Sequence, residues 1–205
     1  MDKFRELREL ARYTREPKNR NEGRERLIRF LDSYSGSKSL APILDSLCIH
    51  FGLFPYVGPM AKSLSTPEAL ALENHRPPGE LLGTGFTFHS DQAKVFHRLV
   101  DGNSVILSAP TSFGKSAILD ALVATKKWQN IVVIVPTIAL IDEIRRRLIR
   151  FGQEYTLVTH PMQEPGKRNI YVLTQERFLE IDRDVDVDLF MIDEFYKLSS
   201  ENEDA

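Results

Sequence analysis

Cysteine is nearly absent from the sequence, which is 205 residues long and contains only Cys48. A single cysteine excludes a disulfide framework within the chain and any metal site that needs two or more thiolate ligands. Cys48 lies in the apolar stretch ILDSLCIHFGLF, so we expect a buried and unreactive thiol. The five histidines show no ligand spacing on one helix, and they predict no metal centre.

Long hydrophobic runs are also missing. No segment approaches the roughly 20 apolar residues that span a bilayer, and the N-terminal MDKFRELREL is too charged for a secretory signal. With 42% hydrophobic and 27% charged residues, the composition is typical of a globular protein. These features predict a cytoplasmic protein that has no membrane partner.

A strong net charge is the third absence, since 27 Lys and Arg residues stand against 29 Asp and Glu residues and leave a net charge of −2. The distribution is nevertheless uneven. Residues 1–29 contain ten basic and six acidic side chains, a net +4, so the rest of the chain carries −6. This composition fits a basic arm that contacts nucleic acid, but a solvated helix face of mixed charge is the simpler interpretation.

Two segments of different character meet near ENHRPPGE, residues 73–80. Before it, apolar residues recur at helical spacing, and TPEALALEN adds a short helix with Thr66 as its N-cap and Pro67 at its first position. We therefore predict a helical N-terminal accessory region over residues 1–80 and a second domain over residues 81–205.

The second domain alternates short β-branched runs with helical stretches. The predicted strands are SVILSAP, NIVVIVP, YTLVTH, NIYVLT and VDLFMIDE, and the predicted helices include SDQAKVFHRLV, KSAILDALVATKKW, TIALIDEIRRRLIRFG and QERFLEI. Alternating strands and helices predict an α/β fold with a doubly wound parallel sheet. Almost continuous hydrophobicity in IVVIV and DLFMI indicates strands that are buried on both faces.

The stretch SAPTSFGKS, residues 108–116, connects a predicted strand to a predicted helix. Phosphate binding at a helix N-terminus needs inward backbone amides, a cation and a hydroxyl for the metal. Gly114 permits the close approach, Lys115 is the cation and Ser116 is the hydroxyl that would hold Mg²⁺. The first glycine of the usual GxxxxGK[ST] pattern is replaced by Ala109.

Two adjacent carboxylates, Asp193 and Glu194, follow the last apolar strand. At the carboxyl end of a parallel strand they would face the crevice where such sheets bind ligands. Asp193 would bind Mg²⁺ through water, and Glu194 would polarise a water molecule for attack on the γ-phosphate. Combined with Lys115, the pair predicts a site that binds and hydrolyses a nucleoside triphosphate.

In their order along the chain, these motifs resemble the first RecA-like lobe of superfamily 2 DEAD/DEAH-like helicases, over residues 84–197. An alanine commonly opens the phosphate loop in that family, which accounts for the missing glycine. The pair Ser112 and Phe113 looks more like loops of the Ski-type members. The resemblance implies that the loop binds ATP through Ala109, Thr111, Ser112, Gly114, Lys115 and Ser116.

Upstream, FTFHSDQ resembles the Q motif of the same family. This resemblance implies that the amide of Gln92 recognises adenine and that Phe86 or Phe88 stacks on the base. An amide can donate to and accept from adenine, which is the pairing that distinguishes it from other bases. The alternative is that Gln92 is an ordinary polar residue of its helix.

Downstream, VPTIALIDE resembles motif Ia and LTQER resembles motif Ib. In the family these segments contact the nucleic-acid backbone, which implies this role for Pro136, Thr137, Thr174, Gln175 and Arg177. The alternative is that both segments are ordinary helix caps, because threonine is common before any helix. The motif DEFY departs from DEAD and DEAH at Phe195 and Tyr196, so coupling roles at those two positions do not carry over.

Members of the family also have a second RecA-like lobe, whose arginine contributes about 10³ to 10⁵ in rate. This sequence has no room for that lobe after DEFY. We therefore expect an N-terminal fragment of an ATP-dependent helicase or translocase acting on RNA or DNA, which binds ATP and Mg²⁺ but hydrolyses ATP slowly. The alternatives are another P-loop ATPase or kinase, or a docking module that binds a protein or nucleic acid through residues 1–73, as in a bacterial defence system.

Overall fold

The computed structural model describes residues 3–34, 39–58, 64–78 and 86–195. The chain divides into two compact units, Met1–Ala121 and Leu122–Ala205. The boundary predicted near residue 80 falls inside the first unit, next to residues 79–85, which lie outside the described ranges. That boundary stays a prediction. Among the described residues, no helix is long and apolar enough to cross a membrane.

The N-terminal part of the first unit is helical, as predicted. Its helices are α1 (Lys3–Leu10), α2 (Arg20–Asp32), α3 (Ala41–His50), α4 (Thr66–Glu73) and α5 (Ser90–Val100). Short 3₁₀ turns at Ala11–Arg15 and Pro17–Asn19 connect α1 to α2. Side chains from α1, α2, α3 and the residues directly after α3 meet in one core, formed by Leu7, Leu10, Leu27, Phe30, Leu44, Leu47, Cys48, Phe51 and Leu53.

Cys48 is fully buried within this core. Burial raises the pKa of its thiol to about 12, and the neighbouring Asp45 carboxylate adds to the effect. A thiol with so high a pKa stays protonated at neutral pH and is a poor nucleophile. The prediction of a buried cysteine is therefore confirmed.

The start of α4 differs by one residue from the prediction. Ser65, not Thr66, is the N-cap. The Glu68 carboxylate accepts hydrogen bonds from the Ser65 backbone N–H at 2.8 Å and from the Ser65 hydroxyl at 2.7 Å. These bonds, led by the backbone one, lower the pKa of Glu68. The glutamate three residues after the cap decides the start, because its side chain can reach back only to Ser65.

The second unit contains a parallel sheet. Its strands are β1 (Asn130–Ile134), β2 (Thr156–Val158), β3 (Asn169–Leu173) and β4 (Leu189–Ile192), in the order β2-β3-β1-β4. Helix α6 (Lys115–Ala124) precedes β1, and helices α7 (Ile138–Leu148) and α8 (Gln175–Leu179) follow β1 and β3. The predicted α/β class and the parallel sheet are confirmed.

The register of the sheet brings three strand ends together. Ile134, the last residue of β1, pairs with Leu173 at the end of β3 and with Ile192 at the end of β4. Val132, Ile134, Val158, Tyr171 and Leu173 form a buried cluster. Because parallel strands share their direction, the segments after β1, β3 and β4 emerge at one edge of the sheet.

The predicted strand SVILSAP does not form. Residues 103–110 have no regular secondary structure, and Ile106 is 90% exposed. A strand needs a neighbour that completes its hydrogen-bond ladder, and β-branched composition cannot supply one. Within the described residues β4 pairs only with β1 and is therefore an outer strand of the sheet. The strand prediction for this segment was wrong.

Candidate functional site

The loop before α6 consists of a short 3₁₀ turn and a left-handed glycine. Thr111–Phe113 form a 3₁₀ turn, closed by a hydrogen bond from the Phe113 N–H to the Pro110 carbonyl oxygen at 3.0 Å. Gly114 then adopts the left-handed conformation, with φ of 80°. Lys115 begins α6, so the first-turn amides of that helix lie directly after the turn.

Glycine is required at position 114 for two independent reasons. L-residues with a side chain rarely adopt its positive φ. In addition, a Cβ atom built there would lie 2.5 Å from Nε2 of Gln92, well inside van der Waals contact. The sequence pattern predicted the glycine, and the structure adds a neighbour, Gln92, whose amide a side chain at this position would displace.

Lys115 and Ser116 supply the polar groups of the loop. The Lys115 ammonium lies 3.5 Å from the Ala109 carbonyl oxygen, a long hydrogen bond that folds the side chain back across the loop. The side chain of Lys115 is half-buried, whereas Ser112 and Ser116 are exposed. The loop therefore combines one cation, two exposed serines and a helix start within a few residues.

Gln92 connects this loop to the start of α5. Its Oε1 accepts a hydrogen bond from the His89 backbone N–H at 2.9 Å, and its Nε2 donates to the Phe113 carbonyl oxygen at 2.7 Å. The residue is only 5% exposed. One N–H and one lone pair of the amide remain for other partners, so the predicted adenine contact stays a prediction, and the amide already serves a structural role.

That structural role was missed from the sequence. The contact to His89 is an N3-to-N-cap bond that the spacing alone could have indicated. The contact to Phe113 joins residues 21 positions apart, and no local pattern reports it.

Phe88 does not fit the predicted role of stacking on a base. Its side chain is fully buried. Its ring lies 5.3 Å from the Phe86 ring and 5.2 Å from the Phe96 ring, measured between centroids. An aromatic in the middle of a cluster has no free face for a ligand, so this assignment is corrected. Phe86 is half-buried and is the remaining candidate of the predicted pair.

In the second unit, two of the predicted nucleic-acid residues begin helices. The Thr137 hydroxyl accepts from the Leu140 N–H and caps α7, and the Thr174 hydroxyl accepts from the Arg177 N–H and caps α8, both at 3.4 Å. Thr137 is exposed, but Thr174 is 8% exposed. The capping interpretation thus describes both threonines, and a nucleic-acid contact stays a prediction.

The other residues of the two motifs lie at the same edge of the sheet. Gln175 is exposed, and Pro136 and Arg177 are half-buried. The Arg177 guanidinium donates to the Thr159 carbonyl oxygen at 3.3 Å. This edge therefore presents hydroxyl, amide and guanidinium groups beside two helix N-termini, which are groups that can contact phosphates.

Asp193 and Glu194 follow β4 at this edge. The Asp193 N–H donates to the Ile134 carbonyl oxygen at 2.9 Å, which extends the ladder past the strand. Glu194 has a φ of 52°, in the left-handed region. Non-glycine residues there store about 1–2 kcal/mol of strain, and such strain clusters at functional sites. Both carboxylates are half-buried, Phe195 is exposed, and Tyr196 lies outside the described residues.

No group of three or more His, Cys, Asp or Glu side chains among the described residues could hold a metal ion by itself. Mg²⁺ usually takes one or two carboxylates and completes its coordination with water and substrate phosphates. Ser116 belongs to the first unit and Asp193 to the second, and their role as magnesium ligands stays a prediction.

Residues 89–205 match the family model described as DEAD/DEAH box helicase. Residues 1–69 match a second model, described as the Anti-bacteriophage protein B N-terminal domain. Anti-bacteriophage protein B of Escherichia coli (strain K12) is 45% identical over 179 residues, which cover 86% of this chain and 24% of that protein. The chain thus spans about a quarter of the length of this relative. No solved structure matches the chain significantly.

Proposed function

Because the chain belongs to the DEAD/DEAH box helicase family, we propose that it carries the ATP-binding lobe of an ATP-dependent nucleic-acid helicase or translocase. The observation that carries the proposal is the phosphate loop. Its glycine is left-handed and packed against Gln92, and its lysine begins a helix. This arrangement places backbone amides and a cation where a triphosphate can bind.

The residues assigned to the substrate follow from their chemistry. Lys115 would neutralise the β- and γ-phosphates, and the loop from Ala109 to Ser116 would surround them. Ser116 and Asp193 would hold Mg²⁺, which supplies charge neutralisation when bound. Glu194 would accept the proton of the attacking water, so that hydrolysis yields ADP and inorganic phosphate.

Nucleic acid, RNA or DNA, is the proposed partner of the sheet edge that carries Pro136, Thr137, Thr174, Gln175 and Arg177. Loop composition at Ser112 and Phe113 supports a position near the Ski-type members of the family. We further propose that the protein works in the cytoplasm. In the full-length protein a second RecA-like lobe would supply the arginine that accelerates hydrolysis.

The comparison with Anti-bacteriophage protein B supports a biological setting. We propose that the full-length protein acts in bacterial defence against bacteriophage, with residues 1–69 as the part specific to that group. A second candidate function is docking of a protein partner through this N-terminal region. The separate family match of residues 1–69 favours it, and it is compatible with a motor function elsewhere in the protein.

The nucleotide site is tested by titrating the 205-residue chain with a fluorescent ATP analogue in the presence of Mg²⁺. Replacing Lys115 by Ala removes a charge-assisted contact worth about 1.5–3 kcal/mol, so we expect the Kd to rise about 10- to 100-fold. Lys167→Ala is the matched control, because Lys167 is an exposed lysine outside the loop. Equal affinity of Lys115→Ala and the parent chain would contradict the proposal.

A further inference from the structure

The N-terminal helices pair part of their basic side chains with glutamates. The ion pairs are i,i+3 or i,i+4 pairs on single helices, with N–O distances between 2.7 and 4.0 Å: Lys3–Glu6, Arg5–Glu9, Arg26–Glu22 and Arg29–Glu25. Such pairs account for a solvated face of mixed charge. They cover four of the ten basic residues between positions 3 and 29.

Four other basic residues have a different environment. Arg8, Arg12, Arg15 and Lys18 are all exposed, and within the described part of the chain none of them has an ion pair or a side-chain hydrogen bond. We call these four residues the basic stripe. The nearest glutamates in the sequence are engaged elsewhere, since Glu9 pairs with Arg5 and the Glu16 carboxylate accepts from Asn19 at 2.8 Å.

The backbone aligns three of the four residues of the stripe. α1 continues into the 3₁₀ turn Ala11–Arg15 without a break, because Leu10 between them keeps helical angles of φ −57° and ψ −40°. Positions 8, 12 and 15 are therefore separated by one turn each and lie on one side of the run, about 6 Å apart along its axis. Lys18 follows in the turn Pro17–Asn19. Leu7 and Leu10 of the same run are buried in the core, so the stripe faces solvent.

We propose that the basic stripe binds the sugar–phosphate backbone of a nucleic acid. Exposed cations without carboxylate partners can neutralise phosphates, and the counterions that the nucleic acid then releases drive binding. Arginine predominates in the stripe, and its planar guanidinium recognises phosphate bidentately. The choice of nucleic acid over another polyanion rests on the proposed helicase function, but the stripe lies outside the helicase match of residues 89–205.

The test compares two quadruple variants of the 205-residue chain that change the net charge equally. The first is Arg8→Gln, Arg12→Gln, Arg15→Gln and Lys18→Gln. The control is Lys3→Gln, Arg5→Gln, Arg26→Gln and Arg29→Gln, which removes the paired cations. Binding of a labelled single strand of about 20 nucleotides is measured by fluorescence anisotropy between about 50 and 200 mM salt.

If the four cations of the stripe neutralise four phosphates, their removal should make the slope of log K against log salt shallower by about 3. The control variant should change the slope by less than half as much. Equal changes in both variants would show that only net charge matters and would overturn the proposal. Binding of the stripe variant as tight as the parent would overturn it as well.

Two further measurements separate other outcomes. If the stripe variant lost binding to anionic lipid vesicles but not to the oligonucleotide, a membrane surface would be the ligand and the proposal would be wrong. ATP affinity is measured on the same samples and should be unchanged, because the stripe contains no residue of the phosphate loop. A parent chain that binds the oligonucleotide through the stripe but fails to bind ATP would refute the helicase function alone.

Discussion

The side chain of Gln92 fixes the phosphate loop from outside the loop. Its amide holds the Phe113 carbonyl oxygen and the His89 N–H, and it occupies the space beside Gly114. A residue that reads adenine and a residue that positions the loop would both be essential for ATP binding. Loss of an adenine contact would weaken the binding of ATP but not of GTP. Loss of a contact that positions the loop would weaken the binding of both nucleotides.

Replacing Gln92 by Ala should therefore weaken ATP and GTP together. The substitution leaves two backbone groups without their partner, and the freed loop binds any triphosphate less well. We expect each Kd to rise about tenfold or more, measured by calorimetry with both nucleotides.

Gln92→Glu serves as the control, because a carboxylate can still accept from His89 but cannot donate to Phe113. It should reproduce the loss of affinity while preserving the start of α5. A loss for ATP with unchanged GTP binding would assign Gln92 to base recognition instead.

At single positions, the sequence predicted what depends on the local pattern. The glycine, the lysine and the serine of the loop follow from their spacing, and the burial of Cys48 follows from its apolar neighbours. The burial of Phe88 among other aromatic rings was not predicted, because FTFHSDQ does not show which of its two phenylalanines faces the core.

Among the elements, β4 ends in a strained turn. Glu194 holds a left-handed conformation directly after the strand, at the position assigned to water activation. The strain of this conformation comes from the Cβ atom, so replacement by glycine should relieve it.

Glu194→Gly should raise the free energy of unfolding of the chain by about 1 kcal/mol, because glycine adopts positive φ without the Cβ clash. Urea denaturation followed by circular dichroism measures the change. Asp193→Gly is the control: Asp193 has no positive φ, so glycine there should leave stability unchanged or lower it. Equal destabilisation by both substitutions would show that the conformation of Glu194 is not strained. In the full-length protein, Glu194→Gly should also abolish ATP hydrolysis.

The elements that the sequence predicted best have their determinants within a few residues. β1, β3, β4 and α5 to α8 follow from runs of apolar residues and from capping residues. Residues 103–110 are different. They contain β-branched residues, but a strand would also need a hydrogen-bonded neighbour, which the local sequence does not determine. The α4 cap was placed one residue late because Ser65 and Thr66 are both good caps, and only the reach of Glu68 distinguishes them.

For the whole molecule, the histidines of the first unit give a pH dependence of stability. Desolvation by burial is the main cause that lowers the pKa of His50, His75 and His89 in the folded state. The His75 ring also stacks on Phe54, with ring centroids 3.4 Å apart. All three side chains therefore bind protons more weakly in the folded chain than in the unfolded one.

The direction of the pH effect follows from the coupling between proton binding and folding. Above the ordinary histidine pKa of about 6.5 both states are neutral and the full stability is present. As the pH falls below that value, the unfolded chain takes up protons that the folded chain refuses, so the free energy of unfolding decreases.

We expect a lower urea midpoint at about pH 5.5 than at about pH 7.5, and a smaller difference in His75→Gln. Carboxylates with lowered pKa values, such as Glu68, contribute only at still lower pH. A midpoint that stays constant or rises between the two pH values would contradict this assignment.

The lone cysteine of the N-terminal core makes the rate of thiol labelling a measure of local unfolding. Its sulfur is sealed from solvent and protonated, so a thiol reagent can react only during those moments when the helices around it separate. With one thiol in the whole chain, the labelling rate would count these openings without any contribution from other sites. A partner that binds the N-terminal helices would lower the labelling rate of Cys48. A partner that binds only the sheet edge would leave this rate unchanged.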